Sequence, residues 1–309
     1  MERTISYFYE FKANAKERWF NRTILEIMNT DFFSPVKNYA KKAIENGVIK
    51  VNDKLVSIDY KVKLHDVITH FVHIHEPIAP QIEVIAEEDE YIVVYKPSGI
   101  PCHPTSRYRT FTVLSSLNRN LICAHRLDVP TSGVLILYKK EFKENMKNKL
   151  KDTKKIYLAK VKGNFTKPIT VDKKIKRILG LGSEISENGK ESKTIFKPLK
   201  YKNGHTLIEC ELITGRTHQI RIHLKYLGFT IVNDKKYESN LEFKSVFLKC
   251  KSDPLNFTKE NERFAVQNCV GINQRVLNYK EDYICLHAYK YFFNNKWYTA
   301  DLPDWAKEF

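Results

Sequence analysis

The stretch His125-Arg126-Leu127-Asp128-Val129-Pro130-Thr131-Ser132-Gly133 holds the residues best suited to chemistry. Asp128 supplies a carboxylate and Arg126 a guanidinium two positions before it. Both lie on a turn, because Pro130 fixes its own φ and Gly133 permits close backbone approach. The run that follows, Val134-Leu135-Ile136-Leu137, reads as a short buried strand stopped by Lys139-Lys140. A carboxylate on a loop anchored by such a strand can act as a nucleophile or as a fixed charge beside a reacting centre. The competing reading is a surface Arg-x-Asp turn without chemistry, and these nine residues alone favour it.

The elements that would position Asp128 follow from periodicity. Tyr91-Ile92-Val93-Val94-Tyr95 is a buried strand ended by Lys96-Pro97-Ser98-Gly99. Phe142, Met146 and Leu150 form a narrow apolar stripe on a Lys-rich helix, and Ile156–Val161 is a strand closed by Gly163. Residues 164–203 read as a basic excursion with a loop at Gly180-x-Gly182, and His205–Ile213 as a strand. The strand leads into Thr214-Gly215-Arg216-Thr217-His218-Gln219-Ile220-Arg221-Ile222-His223-Leu224, a helix capped by Thr217 and ended at Gly228. Nearer the start, Val36, Tyr39, Ala40 and Ala43-Ile44 have helical spacing, and Asn46-Gly47 stops the helix. A strand at 48–51, a turn at Asn52-Asp53, a return strand at 54–56 and a closing strand from Val62 to Ile68 follow. His73 and His75 share one strand face and His70 takes the other, a pattern read as structural, with no metal expected.

Three of these segments, in this order, resemble the signatures of the RluA family of pseudouridine synthases. The first is Lys96–Gly99, the second His125–Gly133, and the third Thr214–Leu224 with Leu227-Gly228 and Asn233-Asp234. The resemblance implies that Asp128 is the catalytic carboxylate and that Arg221 is the cation beside it. It implies that Tyr157 lies against the reactive base and that Arg126 fills the gap left in the RNA when that base is extruded. His125, Lys96 and Arg216 are then substrate-side or loop-holding residues. Ile100-Pro101-Cys102-His103-Pro104-Thr105, Arg107-Tyr108-Arg109 and the His73-x-His75-Glu76-Pro77 linker resemble a eukaryotic branch acting on tRNA at position 32. The small module before residue 79 is similar to the α-L RNA-binding domain, although Asp53 and His65 stand where that domain usually has glycine.

Composition agrees with an RNA partner. The chain of 309 residues carries 52 basic and 36 acidic residues, a net charge of +16. The excess is concentrated, with 20 basic against 7 acidic residues over 139–202. The six cysteines are scattered without a C-x-x-C pair, which points to a reducing compartment, cytoplasmic or nuclear. No apolar run reaches membrane-spanning length and no secretory leader is expected. The expectation is an α+β chain with an N-terminal extension and α-L type module over 1–79. A pseudouridine synthase domain with a mixed, mainly antiparallel sheet would occupy 80–309. It would act as a monomer on RNA without a cofactor. A ribosomal RNA target and a non-catalytic RNA-binding protein of the same fold are the alternatives.

Overall fold

Strands that are apolar on both faces set the framework of the larger part of the chain. The computed structural model describes residues 4–32, 38–105, 108–150, 152–178, 182–238, 248–249, 258–271 and 283–309. Tyr91–Lys96 and Ser132–Lys139 are buried along almost their whole lengths, which suits only the interior of a sheet covered on both sides. They are neighbours in a ten-stranded sheet ordered Glu83–Glu87, Tyr91–Lys96, Ser132–Lys139, Leu286–Phe293, Lys154–Lys162, His205–Leu212, Lys193–Lys202, Ile169–Asp172. Leu121–Cys123 pairs additionally with Ser132–Lys139, and Lys296–Thr299 with Leu286–Phe293.

Every pairing in this sheet is antiparallel except that of Leu286–Phe293 with Ser132–Lys139, which is parallel. The sheet is thus mixed and mostly antiparallel. The parallel contact is short, placing His287 beside Ser132 and Ala288 beside Gly133. Gly133 has φ 116°, and a Cβ there would lie 2.2 Å from the Ala288 carbonyl oxygen. Only glycine fits. The cross-strand row continues from Ala288 to Tyr157 and on to Cys210, so four strands are locked in register just past the Asp128 turn.

Chain contacts divide the protein into two compact units, 1–78 with 244–276 and 79–243 with 277–309. The expected uninterrupted domain from residue 80 onward is therefore revised. Helix Glu260–Gln267 belongs with the first unit, because its Phe264 is buried in that unit's core with Tyr39, Ile44 and Ile68. In the first unit Thr4–Asn14 pairs antiparallel with Val67–Pro77 along its whole length, and Ile49–Val51 pairs on the other side. The N-terminal extension, aromatic-rich, is thus largely a strand. Helix Tyr39–Glu45 precedes Gly47, whose φ is 67°. Asp53 (φ 61°) and His65 (φ 70°) adopt the left-handed conformation that glycine more usually supplies. The expected return strand at 54–56 is reduced to one bridge, Val51 to Lys54. The first part of the expected helix, 33–37, lies outside the described residues.

The basic excursion is also not the loop expected. Ile169–Asp172 and Lys193–Lys202 are sheet strands, and Ile175–Ile178 pairs with Gly182–Ile185 as a separate hairpin. Thr194 and Phe196 are buried and alternate with partly exposed neighbours, the period of a half-covered strand. Gly133→Ala tests the parallel contact. It should cost on the order of 3 kcal/mol in chemical denaturation, through strain at positive φ together with the clash at Ala288.

Candidate active site

Four backbone groups hold the Asp128 turn rigid. The Asp128 carbonyl accepts from Thr131 N, closing the turn, and the Pro130 carbonyl accepts from Ile284 N. The Val129 carbonyl accepts from Gly99 N at 2.8 Å and from Lys96 Nζ at 3.1 Å. Leu127 N donates to Cys102 Sγ at 3.2 Å. Lys96 is wholly buried, and its ammonium also donates to the carbonyls of Pro97 (2.7 Å) and Ile100 (2.8 Å). Burial pulls its pKa down to about 8, so the ammonium stays charged near neutrality. Of the two roles expected for Lys96, substrate-side and loop-holding, this geometry fits the second. Three carbonyls use the three ammonium protons, and none of the side chain is left for phosphate.

His125 likewise braces the turn. Its Nε2 accepts the N–H of Ile136 at 3.2 Å, and its ring stacks on Tyr291 with centroids 4.5 Å apart. Burial pushes its pKa down to about 3, so the imidazole is neutral. Tyr291 hydroxyl lies 2.6 Å from that of Tyr157. Tyr157 is buried, and burial raises its pKa. Arg126 is exposed and lines a cavity of about 400 Å³ with His103, Leu114, Cys123 and His125, which Asp128 does not line.

Arg221 comes from helix Gln219–Tyr226, whose first six residues are all buried. The expected Thr217 cap is not formed; His218 occupies the capping position with φ 57°. The helix is bolted instead by the Gln219 amide, which accepts from Thr214 Oγ1 and Arg216 N and donates to the Lys193 carbonyl and Thr194 Oγ1. Arg216 itself is exposed, with Nε donating to the Glu191 carbonyl at 2.9 Å.

The Arg221 guanidinium is held on one edge by Asp234, Nε to Oδ2 and Nη2 to Oδ1 both at 2.7 Å. That fork leaves Nη1 for Asp128 Oδ2 at 2.9 Å. Its carbon lies 4.9 Å from the centroid of the Tyr237 ring. Burial alone would lower the guanidinium's pKa; the hydrogen bonds and charges of Asp234 and Asp128 outweigh it and raise the value. Arg221 and Asp234 are nearly sealed from solvent, whereas the Asp128 side chain is 23% exposed. Among the described residues no hydrogen bond reaches Asp128 Oδ1.

His218 Nε2 is 3.7 Å from Asp128 Oδ2, and its Nδ1 is 2.6 Å from Tyr237 hydroxyl. That hydroxyl also accepts from Ser183 N at 3.3 Å, so Tyr237 ties the His218 ring to the strand Gly182–Ile185. Burial pushes the His218 pKa down to about 4 against the opposing pull of Asp128. The result is an accessible carboxylate beside a permanent cation and a neutral imidazole. Such an arrangement can attack an electron-poor carbon or stabilise positive charge developing next to it.

A scan against family models matches residues 90–226 to RNA pseudouridylate synthase. RNA pseudouridine synthase 7 of Oryza sativa subsp. japonica is 30% identical over 97% of this chain and 88% of that protein. The chain belongs to the RNA pseudouridine synthase family. The mitochondrial tRNA pseudouridine(32) synthase of Saccharomyces cerevisiae is 37% identical over 76% of this chain, and the match spans about half (54%) of that protein's length. The solved structure of human RNA pseudouridylate synthase domain containing 1 shares the fold, with TM-score 0.50 and 21% identity over 72% of this chain and 83% of that one.

Structure brings Asp128 and Arg221 together, and sets Tyr157 in the sheet row that begins at Gly133. Sequence reading missed the parts of His218, Tyr237 and Tyr291. Asp234 was visible as a motif residue, but nothing in its spacing named Arg221 as its partner. Tyr237 and Tyr291 carry no local signal.

Two expectations follow. Asp234→Asn removes one charge from a buried pair, and should cost about 3–5 kcal/mol of stability in urea denaturation. His125 and His218 bind protons more readily unfolded, near the ordinary 6.5, than folded, near 3 and 4. The stability they contribute is present above pH 6.5 and is lost as pH falls toward the folded values, at roughly 1.4 kcal/mol per pH unit each. His218→Gln should flatten that decline by one proton's worth, as read by denaturation across the window.

Proposed function

We propose that this chain converts a uridine to pseudouridine in the anticodon stem-loop of tRNA, at position 32. In that reaction the C1′–N1 bond breaks, the base turns, and a C1′–C5 bond forms; C5 gives up a proton and N1 gains one. The balance needs no oxidant. The observation that carries the reading is Asp128, exposed at one oxygen and held at the other by an Arg221 that Asp234 keeps in place. Asp128 is the carboxylate acting at the sugar or base, and Arg221 orients it through a charge-assisted hydrogen bond. The extruded base would lie against Tyr157, with Arg126 entering the gap it leaves. Extrusion costs roughly a few kcal/mol, which RNA contacts must offset.

The yeast relative's name supports the choice of tRNA. The basic face supports it less than the charge count implies. Lys149, Lys160, Lys162, Lys174, Lys193 and Lys197 each lie within ion-pair distance of a carboxylate. In the first unit, the order of helix Tyr39–Glu45, strand Ile49–Val51, left-handed turn and strand Val67–Pro77 supports an α-L type RNA-binding module. The site is built within one unit of one chain, which supports action as a monomer. The free thiols of Cys102, Cys123, Cys210, Cys269 and Cys285 suit a reducing compartment. No described helix is long and apolar enough to cross a membrane.

Asp128→Asn keeps the shape of the site and removes the charge. It should abolish pseudouridine formation while tRNA binding stays within a few-fold of wild type. Pseudouridine mapping of total RNA with and without each form checks this and separates a tRNA from a ribosomal RNA target. Turnover retained by Asp128→Asn would refute the assignment, and the absence of any modified uridine with wild type would favour a non-catalytic RNA binder.

A further inference from the structure

The long strand Val67–Pro77 carries His73 and His75 two positions apart, hence on one face. Their rings meet edge-on, with centroids 4.8 Å apart and planes at 90°. His70, on the opposite face, is committed elsewhere, with Nε2 2.7 Å from Tyr39 hydroxyl. Helix Glu260–Gln267 buries Phe264 in the first unit's core, and this packing delivers Cys269 to the same face as His73 and His75. Cys269 Sγ donates to the His73 carbonyl at 3.3 Å, and one ligand atom from each of the three residues lies within 4.8 Å of the others.

We propose that His73, His75 and Cys269 form a site for a divalent transition-metal ion of zinc type, clamping the segment around Cys269 to the antiparallel strand pair Thr4–Asn14 and Val67–Pro77. Two imidazoles and a thiolate are ligands that zinc favours and that magnesium and calcium avoid. Zinc–nitrogen bonds of about 2.0–2.1 Å and a zinc–sulfur bond of about 2.3 Å place tetrahedral ligand atoms roughly 3.3–3.7 Å apart. The three donors therefore need to close by only about 1 Å. Phe8 flanks the site, its ring centroid 5.1 Å from that of His73 and 5.1 Å from that of Phe71 in a stack. Binding exchanges the Cys269 S–H···O=C contact for a metal–sulfur bond and releases one proton. The fourth position takes water or a further ligand. The reading of the histidine run as structural, with no metal, had no thiol to weigh, because Cys269 is far along the chain from the His-x-His pair.

The test uses the full chain, stripped with a chelator and reloaded with zinc alone or cobalt alone. Wild type should keep about one equivalent of zinc through dialysis and melt at a higher temperature with it than without. The cobalt form should show thiolate-to-metal charge transfer in the near ultraviolet. Cys269→Ser should lose that band and the zinc-induced rise in Tm, while Cys123→Ser, in the other unit, keeps both. His75→Gln should weaken zinc binding at least about tenfold. Metal-free melting shows which variants are folded; if Cys269→Ser is not, the affinity of His75→Gln decides. A wild-type chain that holds no zinc, or a folded Cys269→Ser or His75→Gln that binds as wild type does, overturns the proposal.

Discussion

The buried Arg221 guanidinium is the constraint on which the site depends. Sealing a charge away from water is costly unless its hydrogen bonds are satisfied, and Asp234 satisfies two of them in a planar fork. The fork also fixes direction. With Nε and Nη2 taken, Nη1 has one orientation, and that orientation meets Asp128 at 2.9 Å. A lysine in its place would supply the charge without the geometry. The partly exposed Asp128 carboxylate is thus set by a second carboxylate it does not touch directly.

Rigidity around Asp128 comes from polar groups used as staples. Lys96 spends its whole ammonium on three carbonyls, one of them Val129, next in chain to Asp128. His125 takes the place of a strand partner by accepting the Ile136 N–H. Both are residues whose chemistry suggests contact with RNA, yet burial assigns them to the scaffold. Buried polar groups must be paired, and here the pairing is what holds the turn.

Electrostatic neutrality of the imidazoles fits the same design. His125 and His218 are kept uncharged by burial, so they add no cation to compete with Arg221. Tyr237 links His218, Ser183 of the basic hairpin and the face of Arg221. A segment that reads as solvated loop from its lysines therefore reaches the active site through a backbone N–H.

By itself the sequence determined the family, the catalytic candidate and its cation, and the most apolar strands of the larger unit. These are recorded locally: alternating or continuous apolar runs, the glycine and proline of the Asp128 turn, and short signatures whose residues are neighbours in the chain. What only tertiary structure decided depends on residues distant in sequence. Leu286–Phe293, late in the chain, lies mid-sheet, paired in parallel with Ser132–Lys139 at a glycine that only its neighbour's carbonyl explains. Thr4–Asn14 found a partner along its full length, and Glu260–Gln267 joined the first unit through one buried phenylalanine. Thr217 had the right type to cap its helix, but His218 takes the capping position, and the Gln219 amide ties the helix start to a distant strand. Propensity and spacing act over a few residues; which side chain satisfies a buried charge or carbonyl is settled only when the fold brings the partners within hydrogen-bond reach.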